Sequence, residues 1–231
     1  RGGPQLSGRA APLREPLELS WSIDTAASAD SAQRDLAGIE ATVAIVAGAV
    51  FVGTLDGRLL ALELEDGSLR WTYDAGAAIK SSPAVADGSV LFGDEDGLLH
   101  AVDALDGTRR WIFATEGEIT SSPTLAQGRV LFGSYDSSVY CLSLAAGELL
   151  WRLETGGYVH GSVAVDDSSA IVAGCPFDSN RVQLLYVPII VAEEYSGVDQ
   201  VFSRVIPKSC GSFLLPIIEF VHSRILGPGV V

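Results

Sequence analysis

The chain has 231 residues, 48% of them hydrophobic, and a formal net charge of −14. This length is enough for one all-β domain with a buried core. The excess of acidic side chains argues against nucleic acid and anionic lipid as partners, because phosphate contacts need surfaces rich in Lys and Arg. The apolar clusters near the C-terminus fall short of the ~20 residues that span a bilayer, so we expect no transmembrane segment.

The N-terminal part divides into three short pieces. Residues 1–16 contain prolines and arginines without a hydrophobic period and predict an extended arm. Residues 17–23 alternate in polarity around Trp21 and predict a lone strand. Residues 26–38 are rich in Ala, Ser and Asp and predict a polar loop or a short helix.

A repeat of 40 residues follows, marked by Trp71, Trp111 and Trp151. Each unit contains four short apolar runs, and in the second unit these are 84–86, 89–93, 98–103 and 110–113. Gly turns separate them, for which Asp-Gly is the strongest hairpin signal because Gly accepts a positive φ. Four hairpin-linked strands in about 40 residues predict one blade of a β-propeller.

The recurring residues form the pattern Ala-x-Asp-x-x-x-Gly-x-x-x-Trp, which resembles the pyrroloquinoline-quinone-type (PQQ-like) propeller repeat. The second unit matches it at four positions and the other two match it in part. The matching residues are Ala61, Gly67, Trp71, Ala101, Asp103, Gly107, Trp111, Gly147 and Trp151. Within that family the chain looks most like the propeller of bacterial outer-membrane assembly lipoproteins and related repeat proteins of unknown role. We expect each Trp to pack on small residues of a neighbouring blade.

The resemblance covers residues 19–175 and implies an all-β propeller with three full blades and a partial fourth, as a fragment of a seven- or eight-bladed ring. We therefore assign residues 17–175 to the blades. A closed four-blade ring, with residues 17–23 as the missing outer strand, is the alternative. From residue 176 the repeat stops, and Val191 stands where the next Trp is due. Residues 176–231 predict an atypical apolar tail, which is either a frameshifted or foreign segment or a degenerate closing segment.

Polar residues cluster in loops that share one face of a propeller, at the mouth of its channel. These candidate rim residues are Asp56, Lys80, Asp94, Glu95, Asp96, Asp136 and His160. Residues 94–96 could offer carboxylates to Ca²⁺, but a solvated hairpin tip is favoured because consecutive side chains point different ways. His160 has no second His or Cys at zinc-ligand spacing. We assign no catalytic, cofactor-binding or metal-binding residue. Cys141 replaces the small Ala of the repeat and predicts a buried free thiol.

The resemblance implies a non-enzymatic scaffold for protein–protein interaction, including assembly at the envelope or outer membrane, with other proteins as partners and no cofactor. The resemblance also implies the periplasm or another extracytoplasmic compartment. The sequence given shows no secretory signal, so this location rests on the resemblance alone. The alternative is part of a PQQ- and Ca²⁺-dependent quinoprotein alcohol dehydrogenase. That family often has an adjacent Cys pair and uses Asn ligands, whereas this sequence has no such pair and one Asn, Asn180.

Overall fold

The computed structural model describes residues 18–25, 38–165, 169–176 and 183–188. The arm predicted for residues 1–16 lies outside the described residues. So do residues 26–37 of the predicted polar loop or short helix, and residues 177–182 and 189–231 of the predicted tail. The described part contains sixteen strands and no α-helix, which confirms the all-β prediction.

The strands form four antiparallel sheets of four strands, one for each repeat unit. Blade 1 consists of β1 (Ala44–Val46), β2 (Ala49–Gly53), β3 (Arg58–Glu63) and β4 (Leu69–Asp74). Blade 2 consists of β5 (Ala84–Ala86), β6 (Ser89–Gly93), β7 (Leu98–Asp103) and β8 (Arg109–Ala114). Blade 3 consists of β9 (Thr124–Ala126), β10 (Arg129–Ser134), β11 (Ser138–Ser143) and β12 (Leu149–Glu154). In these three blades the strands pair in chain order, as the sequence predicts.

The fourth sheet has a different arrangement. Its strands are β13 (Gly157–Tyr158), β14 (Ala164–Val165), β15 (Ser169–Pro176) and β16 (Gln183–Pro188). Strand β15 pairs antiparallel with three strands, β13, β14 and β16. Strand β16 lies beyond residue 175, within the stretch predicted to be a tail. It pairs antiparallel with β15, as the third strand of blades 1–3 pairs with the second. The boundary predicted at residue 175 otherwise stays a prediction.

The hairpin turns follow from local backbone preference. Asp87 has φ 49° and Gly88 has φ 70°, the two successive left-handed residues of a type I′ turn, which suits the twist of paired strands. The equivalent pairs in blades 1 and 3 are Ala47–Gly48 and Gln127–Gly128, with the same signs of φ. The outer hairpins carry a register shift at one place in each blade, which is between Ala101 and Val102 in blade 2.

The hydrophobic core lies between blades rather than inside a single sheet. One cluster joins Phe51 and Leu59 of blade 1 to Phe92 of blade 2. A second cluster joins blade 2 to blade 3, and a third joins blade 3 to β14 and β15. The middle strands are buried on both faces, which explains their continuous apolar runs. Cys141 is a buried free thiol in the third cluster, as predicted, and burial raises its pKa to about 12.

The repeat Trp residues lie across the blade boundaries. Trp71 Nε1 donates to the carbonyl oxygen of Ala104 at 3.3 Å, and Trp111 Nε1 donates to that of Leu144 at 3.1 Å. A Cβ on Gly107 would stand 2.6 Å from the ring of Trp71. The repeat Gly is therefore the flat surface on which the Trp of the preceding blade rests.

Trp21 makes the same contact on the other side of blade 1. Its Nε1 donates to the carbonyl oxygen of Leu64 at 2.9 Å, and a Cβ on Gly67 would stand 2.6 Å from its ring. It packs against the blade 1 face that is made by Val50, Val52, Leu60 and Leu62. The structure assigns no strand to residues 18–25, so the lone strand predicted there is absent from these residues. The side chain nevertheless occupies the position of a repeat Trp.

Candidate functional site

Two sets of loops meet on one face of the blades, which we call the rim face. The first set is the turns between second and third strands, residues 54–57, 94–97 and 134–137. The second is the connections between blades, residues 75–83, 115–123 and 155–163. The N–H of Ile119 donates to the carbonyl oxygen of Asp94 at 2.9 Å, and the N–H of Tyr135 donates to that of Glu118 at 2.9 Å. Each connection is thus held between the turns of two adjacent blades.

The Ser-Ser-Pro segments fix these connections to the blades. The Ser81 hydroxyl donates to the carbonyl oxygen of Gly93 at 2.8 Å and accepts from the Gly93 N–H at 2.7 Å. The N–H of Ser82 donates to the Ser122 hydroxyl, 40 residues further on, at 2.9 Å. The first Ser therefore bonds its connection to the second strand of a blade, and the second Ser bonds one connection to the next.

Four of the seven predicted rim residues stand at the surface of the rim face. Lys80 forms an ion pair with Glu95, and the hydrogen bond to Glu95 raises the pKa of Lys80. Asp96 is exposed. His160 is exposed, and its Nδ1 is hydrogen-bonded to the hydroxyls of Thr120 at 3.0 Å and Tyr135 at 2.8 Å.

Asp94 is not at the surface, which corrects the expectation from the repeat alignment. It is fully buried. One carboxylate oxygen accepts from the Leu98 N–H at 2.8 Å, and the other lies 2.8 Å from His100 Nε2. His100 is buried too, stacks on Phe92 with ring centroids 4.9 Å apart, and reaches the Tyr73 hydroxyl at 3.0 Å through Nδ1. The Asp94 side chain turns inward because the Leu98 N–H and His100 satisfy its two oxygens there.

The side chains of Asp56 and Asp136 also turn towards the blades. Burial opposes ionisation of Asp56, but hydrogen bonds from Arg58 and Thr54 outweigh it and lower its pKa. Asp136 Oδ2 accepts from the Tyr140 hydroxyl and from the Glu116 N–H. Asp136 Oδ1 is buried without a hydrogen-bond partner among the described residues. Most oxygens of these two carboxylates are thus bonded within the blades, and a role of Asp56 and Asp136 in binding stays a prediction.

An open groove of about 510 Å³ crosses the rim face between blades 2 and 3. Residues 115–118 line it, together with Glu95, Asp96, Tyr135 and Tyr158. The rings of Tyr135 and Tyr158 stack with centroids 4.9 Å apart and planes 22° apart, and Tyr158 is 45% exposed. We call this feature the tyrosine groove. Within the part of the chain that the structure describes, no three His, Cys, Asp or Glu residues stand together as a metal site would require.

The sequence gives only a weak signal for the two tyrosines. In the repeat alignment, Tyr135 takes the place of Leu55 and Glu95, and Tyr158 takes the place of Ala78 and Glu118. Both positions therefore vary from blade to blade on a shared backbone geometry. That variation indicates a surface whose side chains the fold does not dictate. The contact between the two rings depends on how the blades are placed, which the variation does not reveal.

A family model matches the chain at residues 18–125 and 95–185, and its description is outer membrane protein assembly factor BamB. The two matches together cover well over half of the chain. The chain belongs to this family. The PQQ-like propeller resemblance seen in the repeat is thereby confirmed.

Solved structures show the same fold. BamB from Moraxella catarrhalis is 22% identical with a TM-score of 0.58, and the match covers 65% of this chain and 47% of that one. The computationally designed Ika4 protein is 17% identical with a TM-score of 0.60, covering 74% and 98%. The quinohemoprotein alcohol dehydrogenase ADHIIG from Pseudomonas putida HK5 is 22% identical with a TM-score of 0.57, covering 68% and 30%.

The chain thus spans about half the length of the BamB structure it matches. No curated protein sequence matches it. In the described residues there is no helix of the length and hydropathy that a membrane crossing requires.

Proposed function

We propose that this BamB-family chain is a non-enzymatic scaffold that binds other proteins outside the cytoplasm, in the assembly of outer-membrane proteins. The observation that supports this most is the family match over residues 18–185, because the family is described as an outer membrane protein assembly factor. The periplasmic location rests on the same match.

The rim face is the proposed contact surface. Loops on a rigid scaffold are the usual place for binding residues, and here hydrogen bonds to two blades fix each connection. In the proposed role, the Trp–Gly contacts keep adjacent blades together, so that the loops of blades 2 and 3 present one fixed surface to a partner.

A photoreactive amino acid tests this surface. It replaces Asp96 on the rim face in one variant, and Leu105, which is 83% exposed in an outer hairpin turn, in a matched control. In cells that contain the protein, we expect a crosslinked protein partner from position 96 and none from position 105. Equal crosslinking from both positions, or none from either, would overturn the proposal.

The quinoprotein alcohol dehydrogenase function is the second candidate, and the likeness to ADHIIG is the observation behind it. At 22% identity this likeness extends to the fold only. No described residue is assigned to quinone or Ca²⁺, and Asn180 lies outside the described residues. Titration with PQQ and Ca²⁺, followed by absorbance, tests this candidate. We expect no spectral change, and a saturable change would favour the enzyme over the scaffold.

A further inference from the structure

The tyrosine groove combines two stacked tyrosine rings with an excess of negatively charged side chains. Glu95, Asp96, Glu116 and Glu118 belong to it, and the one lysine that reaches it, Lys80, is paired with Glu95. Among the described residues, Asp96, Glu116 and Glu118 have no ion-pair partner. Carboxylates on low-dielectric walls concentrate a field that attracts cations.

The stacked tyrosines give the groove a second, independent affinity for cations. Lys and Arg side chains are attracted to the face of an aromatic ring, by about 0.5–1 kcal/mol at exposed sites and more when water is excluded. Tyr158 stacks on Tyr135, which fixes its ring, and the side chain is still 45% exposed. The hydrogen bond between the Tyr135 hydroxyl and His160 helps to hold the second ring.

The size of the groove suits an extended segment better than a single ion. Its volume of about 510 Å³ exceeds what one metal ion needs, and no three potential ligands converge in the described part of the chain. The carboxylates come from one turn and one connection, with the tyrosines on neighbouring loops, so they can meet several side chains of one strand-like peptide. The same charges repel nucleic acid and anionic lipid.

We propose that the tyrosine groove binds an extended segment of a partner protein that carries lysine or arginine, with one cationic side chain against Tyr158 and others paired with Glu116 and Glu118. This inference rests on the proposed scaffold function and names the chemistry of its partner. The partner's cationic side chains supply the ion pairs that these carboxylates lack within the described residues.

Fluorescence anisotropy with labelled eight-residue peptides tests the groove in the full chain. The probes are a peptide of alternating lysine and serine, the arginine equivalent, and a glutamate peptide of the same length. We expect both cationic peptides to bind and the glutamate peptide not to bind. With Glu116→Gln and Glu118→Gln together, we expect the dissociation constant for the cationic peptides to rise at least tenfold.

A control pair of substitutions separates binding at the groove from nonspecific attraction of the peptides to an acidic chain. Glu65→Gln and Glu148→Gln remove the same charge from exposed outer hairpin turns, and we expect less than a twofold change. An equal loss in the control pair would overturn the groove as the binding site.

Two uncharged variants test the aromatic contribution. Tyr158→Ala introduces the residue of the equivalent position 78, and Tyr135→Leu introduces that of position 55, so each fits the blade backbone. We expect each to weaken binding three- to tenfold at unchanged net charge. Unchanged binding in both, with folding verified by circular dichroism, would overturn the proposal.

The peptide result and the crosslinking result can fail separately. Crosslinks from position 96 without binding of cationic peptides would leave the scaffold function standing and overturn the groove chemistry. Peptide binding at the tyrosine groove without any crosslinked protein would support the groove and overturn the scaffold function.

Discussion

Two physical reasons exclude a Cβ atom at position 107 and so require Gly107. Its φ of +74° lies in the left-handed region, where a side chain is strained. A Cβ would also stand 2.6 Å from Trp71 Cε3, too close for any carbon pair. The repeat Gly therefore serves both the hairpin turn of its own blade and the Trp of the preceding blade.

A pair of alanine substitutions separates the two reasons. Gly128 has a similar φ of +70°, but a Cβ on it would have no neighbour within 4 Å. Both Gly107→Ala and Gly128→Ala carry the backbone strain, whereas only the first collides with a ring. We expect Gly107→Ala to lower the free energy of unfolding by about 1–3 kcal/mol more than Gly128→Ala, the usual cost of overpacking. Urea unfolding followed by circular dichroism measures it, and equal effects would contradict the role of the Trp contact.

The signature Asp acts within one hairpin of its blade. Asp103 pairs with Arg110 at 2.7 Å, which lowers the pKa of Asp103, and blade 1 has the equivalent pair of Glu63 and Arg70. Blade 3 has Ser143 and Leu150 at these positions, so both partners are replaced together. An exposed pair of this kind adds little to stability because solvent screens it, which explains why one blade can do without it.

The buried pair of Asp94 and His100 is an element-scale feature peculiar to blade 2. Blade 1 has Thr54 and Leu60 at the equivalent positions, so the chain itself provides an uncharged replacement. We expect His100→Leu alone to lower the free energy of unfolding by about 1–3 kcal/mol, because it leaves a carboxylate oxygen of Asp94 buried without a partner. Adding Asp94→Thr should recover most of that loss.

Chemical denaturation of the wild type, the single variant and the double variant measures this recovery. A double variant less stable than His100→Leu would show that Asp94 is satisfied by other groups. Asp96→Asn is the control, since the Asp96 side chain is exposed and its removal should change stability little.

The sequence predicts the blades better than it predicts the site. Apolar runs and Gly turns determine the strands, because hairpin geometry is local. The inward turn of Asp94 depends on which of several nearby donors satisfies its carboxylate, and spacing does not reveal that choice. Tyr135 and Tyr158 are far apart in sequence and belong to different blades. Their stacking follows from the placement of β13 beside blade 3, which no local pattern encodes.

At the scale of the whole molecule, the blades form a series of nearest-neighbour interfaces. Three hydrophobic clusters each join two adjacent blades. The innermost strands β1, β5, β9 and β14 contact one another in that order. In such arrays stability is close to a sum of unit and interface contributions. A local change should therefore weaken its own boundary first.

Trp21→Ala tests this locality. Trp21 covers Val50, Val52, Leu60 and Leu62 on the outer face of blade 1, and replacing a large core side chain costs about 3–5 kcal/mol, less where it is half exposed. We expect hydrogen exchange to accelerate in β2 and β3 and to change little in β10 and β11. Trp111→Ala is the matched variant and should act on blades 2 and 3. Uniform acceleration throughout the chain would contradict nearest-neighbour stability.

The Ser82 N–H to Ser122 hydroxyl bond joins residues that are 40 apart, as does the bond from the Thr42 N–H to the Ser82 hydroxyl. Suppose that a second copy of residues 84–123 were inserted after residue 123. The Gly107 of the copy would receive the original Trp111, and the Trp111 of the copy would rest on Gly147. A duplication whose length is not a whole number of such units would break both boundaries. Propellers of this kind can therefore change their blade number through gene recombination in whole units, without a new interface having to evolve.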